Sequence, residues 1–202
     1  MTRDPLAVFV NAPFDDAYDP LLEVLVFTIK ACGYQVRCAL EENDSGDIRL
    51  DKLARLIGES SRSVHDLSRI GGDVPRFNMP FELGMAMGAR RFNRSHWLDR
   101  IKIMVGEPYR LPEYLSDLGG NDPDAHHGEP NRVIGIVRNF LARAPSGRPL
   151  PGRAHIIATF AEFKRLLPEI AEGIRLRIDE VHVRRNYSDF IWCLSEFLKG
   201  AA

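Results

Sequence analysis

The chain has few cysteines, no charge surplus of one sign and no long apolar run. Its three cysteines, at positions 32, 38 and 193, are too scattered for a disulfide framework, so buried reduced thiols are expected. The 27 Lys and Arg residues nearly balance 28 Asp and Glu residues, which disfavours nucleic acid as the main partner. The first apolar run is too short for a signal peptide or a membrane span. The sequence therefore predicts a cytoplasmic protein without membrane association.

Motifs of several common enzyme classes are also missing. No G-x-G-x-x-G sequence or P-loop follows a predicted strand, which disfavours dinucleotide redox chemistry and nucleotide triphosphate hydrolysis. No serine lies in a G-x-S-x-G motif, and no cysteine has an evident histidine partner. His126 and His127, near Asp122 and Asp124, suggest metal ligation, but further ligands at a recognised spacing are missing. A solvated loop is the favoured interpretation, and no metal site is expected.

Short apolar runs alternate with amphipathic helical segments over the first 145 residues. This order predicts an α/β fold, a flavodoxin-like (Rossmann-like) three-layer open parallel sheet. The predicted strands are Leu6 to Val10, Tyr34 to Leu40, Ser63 to Leu67, Ile101 to Val105 and, with a poorer pattern, Tyr114 to Leu118. The predicted helices begin at Asp19, Asp47, Asn78 and Asn131 and end at Gly33, Ser60, Arg90 and Arg143.

A segment rich in proline and glycine, residues 144–152, interrupts this pattern. We therefore divide the chain into an α/β domain at 1–145 and a C-terminal helical extension at 146–202. Amphipathic helices are predicted at Ile156 to Glu172 and Asn186 to Lys199, too little to bury a sizeable core alone. The extension is expected to pack on the sheet domain or on a partner chain, and a homo-oligomer is expected. The extension also carries a group of basic residues that is predicted to form a solvated face: Arg175, Arg177, Arg184 and Arg185.

Ligands of open parallel sheets bind beyond the carboxyl ends of the strands. Several polar and aromatic residues follow those ends in the sequence. Asp66 is a better candidate than His65, because adjacent strand residues point to opposite faces and His65 is expected to be satisfied or exposed. The candidate ligand-binding residues are Asn11, Pro13, Phe14, Asp15 and Tyr18 after the first strand, Asp66 and Ser68 after the third, then Arg76 and Asn78.

Glu82 lies on a predicted helix among apolar neighbours, where a carboxylate is costly unless it is paired or functional. Gly84 and Gly88, one turn apart, indicate close approach of a backbone or a ligand. The structural alternative is that Glu82 pairs with Arg76 or Arg90, while Gly84 lets the helix pack on the sheet.

Three segments resemble bacterial Toll/interleukin-1 receptor-like (TIR-like) proteins and nucleoside 2-deoxyribosyltransferases. The first is the strand end Val8 to Asp15, and the others are Ser63 to Ser68 and Arg76 to Ala86. The last contains the Asn-x-x-x-Glu-Leu-Gly-x-Ala pattern that carries the catalytic glutamate of these families. The resemblance spans about residues 6–106.

The resemblance implies that Glu82 acts on the N-glycosidic bond of NAD, another nucleotide or a nucleoside. Asn11, Phe14, Asp15 and Asp66 would then line the pocket, and Arg76 or Asn78 would hold phosphate or ribose. No cofactor is expected, since NAD or another nucleotide would be the substrate.

Whether the chain is an enzyme is left open, because a non-catalytic nucleotide-sensing or self-assembly module fits the same residues. A response-regulator-like phosphoacceptor is a weaker third alternative. Asp15, Asp16 and Asp66 would form its acidic cluster, but Gly106 and Glu107 stand where its lysine is expected.

Overall fold

The computed structural model describes residues 4–42, 44, 46–68, 76–92, 98–107, 113–142, 147 and 149–200. Within these residues a five-stranded, all-parallel sheet has the order β2-β1-β3-β4-β5. This order confirms the predicted flavodoxin-like open sheet. The strands are β1 (Asp4–Asn11), β2 (Gln35–Arg37), β3 (Ser60–Asp66), β4 (Arg100–Val105) and β5 (Asp124–Ala125).

Helices cover both faces of the sheet. Alternate residues of β1 enter different cores: Val8 and Val10 pack with helices α1 and α4, whereas Phe9 packs with α2 and α3. The helices are α1 (Asp19–Ala31), α2 (Arg49–Glu59), α3 (Asn78–Phe92), α4 (Pro130–Leu141), α5 (Arg153–Gly173) and α6 (Tyr187–Gly200).

The fifth strand differs from its prediction. Residues Glu113–Gly120 form a 3₁₀ segment, and the strand that pairs with β4 is Asp124–Ala125. Leu115 and Leu118, three residues apart, pack against the cluster around Leu67, a spacing that suits a 3₁₀ turn rather than a strand. Strand β5 has only two residues and lies at a polar edge of the sheet, so its sequence shows no apolar pattern that would predict a strand.

The C-terminal helices share one hydrophobic core with α1 and α4. Phe27 of α1 packs against Phe163 of α5, with their ring centroids 5.7 Å apart. The segment before α5 is also held, because the Arg138 guanidinium donates to the carbonyl of Pro151 at 3.1 Å and Leu150 is buried. The predicted domain boundary at residue 145 itself falls among residues outside the described ranges.

Within the described part of the chain, no helix has both the length and the apolar character needed to cross a membrane.

Candidate functional site

The sheet order places β1 beside β3, where the chain connections diverge and ligands of such sheets bind. At this point Asn11 lies directly opposite His65 in the parallel register. The Asn11 amide donates to the carbonyl of Met79 at 2.9 Å and lies 3.1 Å from His65 Nδ1. Asn11 therefore joins two strands to the first turn of α3, as a positioning residue.

His65 is fully buried, so of the two expected alternatives, satisfied or exposed, the exposed one is excluded. Its Nδ1 accepts the second amide hydrogen of Asn11, which leaves the ring proton on Nε2. That Nε2 has no hydrogen-bond partner among the residues the structure describes. Burial lowers the pKa of His65 to about 3. The imidazole is thus neutral at physiological pH.

Asp66 points to the other face of the sheet and is completely buried. The Tyr18 hydroxyl donates to its Oδ2 at 2.5 Å, and the Ser68 amide donates to its Oδ1 at 2.8 Å. Burial by itself raises the pKa of Asp66, but contacts with His126, Ser68 and Tyr18 outweigh it and lower that pKa overall. Burial and the Asp66 charge raise the Tyr18 pKa, so its hydroxyl keeps the proton that it donates.

His126 completes this group, contrary to the predicted solvated loop. It is buried, and its Nε2 lies 3.0 Å from Asp66 Oδ2, at an angle too oblique for a regular hydrogen bond. Its Nδ1 accepts the amide of Gly128 at 3.0 Å, which directs the Nε2 proton towards Asp66. His127 is exposed and lies 3.1 Å from Glu107, as a loop residue would. Recognising His126 from sequence required locating β5, which it follows directly.

A cavity of about 360 Å³ adjoins this group at the carboxyl ends of β3 to β5. Tyr18, Ser68, Gly106, Glu107 and His126 contribute to its lining. Within the described ranges, no three His, Cys, Asp or Glu side chains are grouped so as to hold a metal ion.

The carboxylates after β1 are held by arginines rather than clustered with Asp66. Asp15 Oδ2 lies 3.4 Å from the guanidinium of Arg76, and Asp15 Oδ1 accepts the amide of Tyr18 at 3.0 Å. Asp16 and Asp19 both bind Arg184, which donates to Asp19 at 2.9 Å. Arg184 therefore does not belong to a solvated face. This pairing also argues against the acidic cluster of a phosphoacceptor site.

Glu82 is buried, with 4% of its surface exposed. Burial raises its pKa, although a hydrogen bond from Asn78 and the charge of Arg49 act in the opposite direction. Arg49 Nη2 lies 3.7 Å from Glu82 Oε1, so the ion-pair partner is neither Arg76 nor Arg90. This contact is long, and the Arg49 side chain is 65% exposed, so solvent screens much of it.

The sequence neighbours of both ion-pair residues include exposed apolar side chains. Ile48 and Leu50, the neighbours of Arg49, and Phe81, the neighbour of Glu82, are all exposed. Exposed apolar groups around a charged pair are typical of a binding surface for an amphipathic ligand.

No other backbone segment of the described residues closely approaches Gly84 or Gly88, so the ligand alternative of that prediction stays a prediction. A Cβ at Gly84 would meet no described atom within 4 Å, and one at Gly88 would meet only Phe92 at 4.0 Å. Both glycines instead border a groove of about 750 Å³ together with Met87 and Ile101.

The predicted site residues thus form separate groups at one edge of the sheet. Asn11 binds His65 on the α3 side, whereas Tyr18, Asp66 and Ser68 lie together on the α1 side. Pro13 is buried, and Phe14 packs against the main core.

No protein-family model matches the chain, and no curated protein sequence matches it. The resemblance to TIR-like proteins and deoxyribosyltransferases therefore rests on its motif residues alone.

Replacing Tyr18 by Phe should lower the free energy of unfolding by about 1–3 kcal/mol at pH 7, because the buried Asp66 carboxylate loses the hydrogen bond that the Tyr18 hydroxyl donates. Since the folded-state pKa of Asp66 is depressed, this contribution is present above its unfolded pKa and is lost as the pH falls through the folded value. Urea denaturation at several pH values measures both effects.

Thr28→Val is the matched control for Tyr18→Phe, because it removes a buried hydroxyl whose acceptor is the neutral carbonyl of Val24. Its effect should not change with acidity. A Tyr18→Phe protein as stable as the wild type at pH 7 would contradict the prediction.

Proposed function

We propose that the protein binds a nucleotide or nucleoside beside Glu82 and cleaves its N-glycosidic bond. The supporting observation is the Arg49–Glu82 contact: a buried carboxylate is covered by an exposed, loosely held arginine. A phosphate-bearing ligand would draw Arg49 away from Glu82, because a guanidinium binds phosphate oxygens with two parallel hydrogen bonds. Glu82 would then face the ligand.

The reaction assigned to Glu82 breaks the bond between ribose C1′ and the base nitrogen. The bonding electron pair leaves with the base, and positive charge develops on the ribose ring. The Glu82 carboxylate stabilises or captures that charge, and water or a second nucleobase then adds at C1′. In this proposal Asn78 holds Glu82 and contacts the ribose, whereas Arg76 orients phosphate from its place beside Asp15.

The test compares wild-type protein with Glu82→Gln, using NAD and a panel of nucleosides and measuring the released base. We expect turnover to fall by about 100-fold or more in the variant, since Gln cannot stabilise the developing charge. The variant should still fold, because the Gln oxygen can accept the hydrogen bond from Asn78. The substitution also removes a buried charge, and the ion pair that it breaks is screened by solvent. Glu23→Gln, which changes a glutamate of α1 paired with Lys164, is the control and should retain activity.

Wild-type protein that neither turns over nor binds NAD or nucleosides at stoichiometric concentration would defeat the proposal. An unfolded Glu82→Gln protein would show that Glu82 is part of a structural ion pair.

A second candidate is a non-catalytic nucleotide-sensing module that self-associates through its C-terminal helices. The observation that favours it is the burial of Glu82 with an arginine partner, which suits a structural pair as well as a resting catalyst. Equal nucleotide binding by wild type and Glu82→Gln, with turnover by neither, supports this candidate. Trp192 is 44% exposed on α6, so Trp192→Ser should then lower the solution mass if α6 forms the interface.

A further inference from the structure

A second cavity, remote from Glu82, lies beside the β4–β5 edge of the sheet. It has a volume of about 470 Å³ and lies between these strands, α4 and the first turn of α5. Four cations and one carboxylate of the described residues line it: Arg100, Lys102, Arg132, Arg153 and Asp124. Such an excess of positive charge in a concave site attracts an anionic ligand.

Two of these cations have no carboxylate partner within the part of the chain that the structure describes. Asp124 lies 2.5 Å from Lys102, and Glu129 lies 3.0 Å from Arg132. No acidic group among the described residues lies within ion-pair distance of Arg100 or Arg153. These two guanidinium groups keep a full positive charge at the cavity.

Packing holds both guanidinium planes in place. The Arg100 guanidinium lies 5.2 Å from the centroid of the Phe140 ring, a stacking contact. Arg153 donates from Nε to the carbonyl of Asn131 at 3.1 Å and lies over Gly135, where a Cβ would touch its Cδ and Nε at 3.4 Å. Gly135 thus leaves the space that the Arg153 side chain occupies. Both arginines retain terminal N–H donors for a ligand.

We propose that this cavity binds a diphosphate or triphosphate group. Planar guanidinium groups recognise phosphate oxygens through paired hydrogen bonds, and the cavity is of small-molecule size. The cavity is lined by α4, which packs with α1 on one face of the sheet, whereas Glu82 lies on α3, which packs with α2 on the opposite face. The bound phosphate is therefore a second ligand, separate from the substrate proposed above.

Calorimetric titration of the full chain with pyrophosphate, ATP and citrate tests this site. Arg100→Gln and Arg153→Gln should each weaken pyrophosphate binding by about tenfold or more, since each removes a charged two-point contact. Arg165→Gln, which changes an exposed arginine of α5 outside the cavity, should leave binding unchanged. Gly135→Leu keeps every cation but fills the space under Arg153, and should also weaken binding without lowering Tm.

The two sources of phosphate are distinguished by competition. ATP that displaces pyrophosphate supports a nucleotide ligand, whereas pyrophosphate binding without ATP binding supports a free diphosphate. The proposal is overturned if folded wild-type protein shows no saturable binding, if Arg165→Gln weakens binding as much as Arg153→Gln, or if citrate binds as tightly as pyrophosphate.

Discussion

Replacing Phe163 by Ala should lower the free energy of unfolding by about 3–5 kcal/mol, the usual cost of removing a fully buried phenylalanine. Its ring lies 5.7 Å from Phe27 of α1, 5.8 Å from Phe190 and 5.4 Å from Phe197 of α6. The substitution therefore removes contacts to two other helices, α1 and α6, and leaves a cavity that neither of them can fill alone. Chemical denaturation measures the loss.

Phe92→Ala is the matched control, because Phe92 is 82% exposed on α3 and its loss should change stability by at most about 0.5 kcal/mol. Equal stability losses for the two variants would contradict the assigned core.

The same packing predicts that deletion of residues 145–202 prevents cooperative folding of the remainder, since it uncovers Phe27 and its neighbours on α1. A shortened chain with a cooperative unfolding transition would refute this expectation. Loss of oligomers on such a deletion would consequently not identify an oligomer interface, and a single surface substitution such as Trp192→Ser is the better test.

Features encoded within one segment were predictable from sequence. The apolar run Leu6 to Val10 and the start of α1 at Asp19 both appear in the structure close to their predicted places. The Asp19 carboxylate does not cap that helix, however, because it binds Arg184, 165 residues away. Amphipathic spacing shows that a helix buries one face, but it does not show which surface covers that face.

Contacts between segments that are distant in the sequence are the part of the site that the sequence did not predict. The motif located Glu82, yet its partner Arg49 lies on another helix, and no pattern joins them. His126 could be connected to Asp66 only after β5 was placed, and a two-residue edge strand has too few side chains to show alternation. Local sequence pattern thus predicts the order of the elements and the edge of the sheet that holds the site, whereas pairing across that edge is set by the tertiary fold.

His65 should make the protein strongly sensitive to mild acid. An unfolded histidine binds its proton near pH 6.5, whereas burial lowers the pKa of folded His65 to about 3. Between these values the unfolded state holds more protons, so the stabilisation is complete above pH 6.5 and is lost as the pH falls. The expected slope approaches about 1.4 kcal/mol per pH unit, or about 2 kcal/mol between pH 6.5 and 5.

His65→Asn isolates this contribution, because an Asn oxygen can still accept the amide hydrogen of Asn11 while the titrating ring is gone. The variant should lose stability at pH 7, where it leaves a cavity beside Phe9, but it should lose less than the wild type on acidification. His155→Asn, which changes an exposed histidine of α5, should keep the wild-type slope. Parallel curves for wild type and His65→Asn from pH 7 to 5 would mean that His65 is protonated in the fold, and that Asn11 no longer bonds to it.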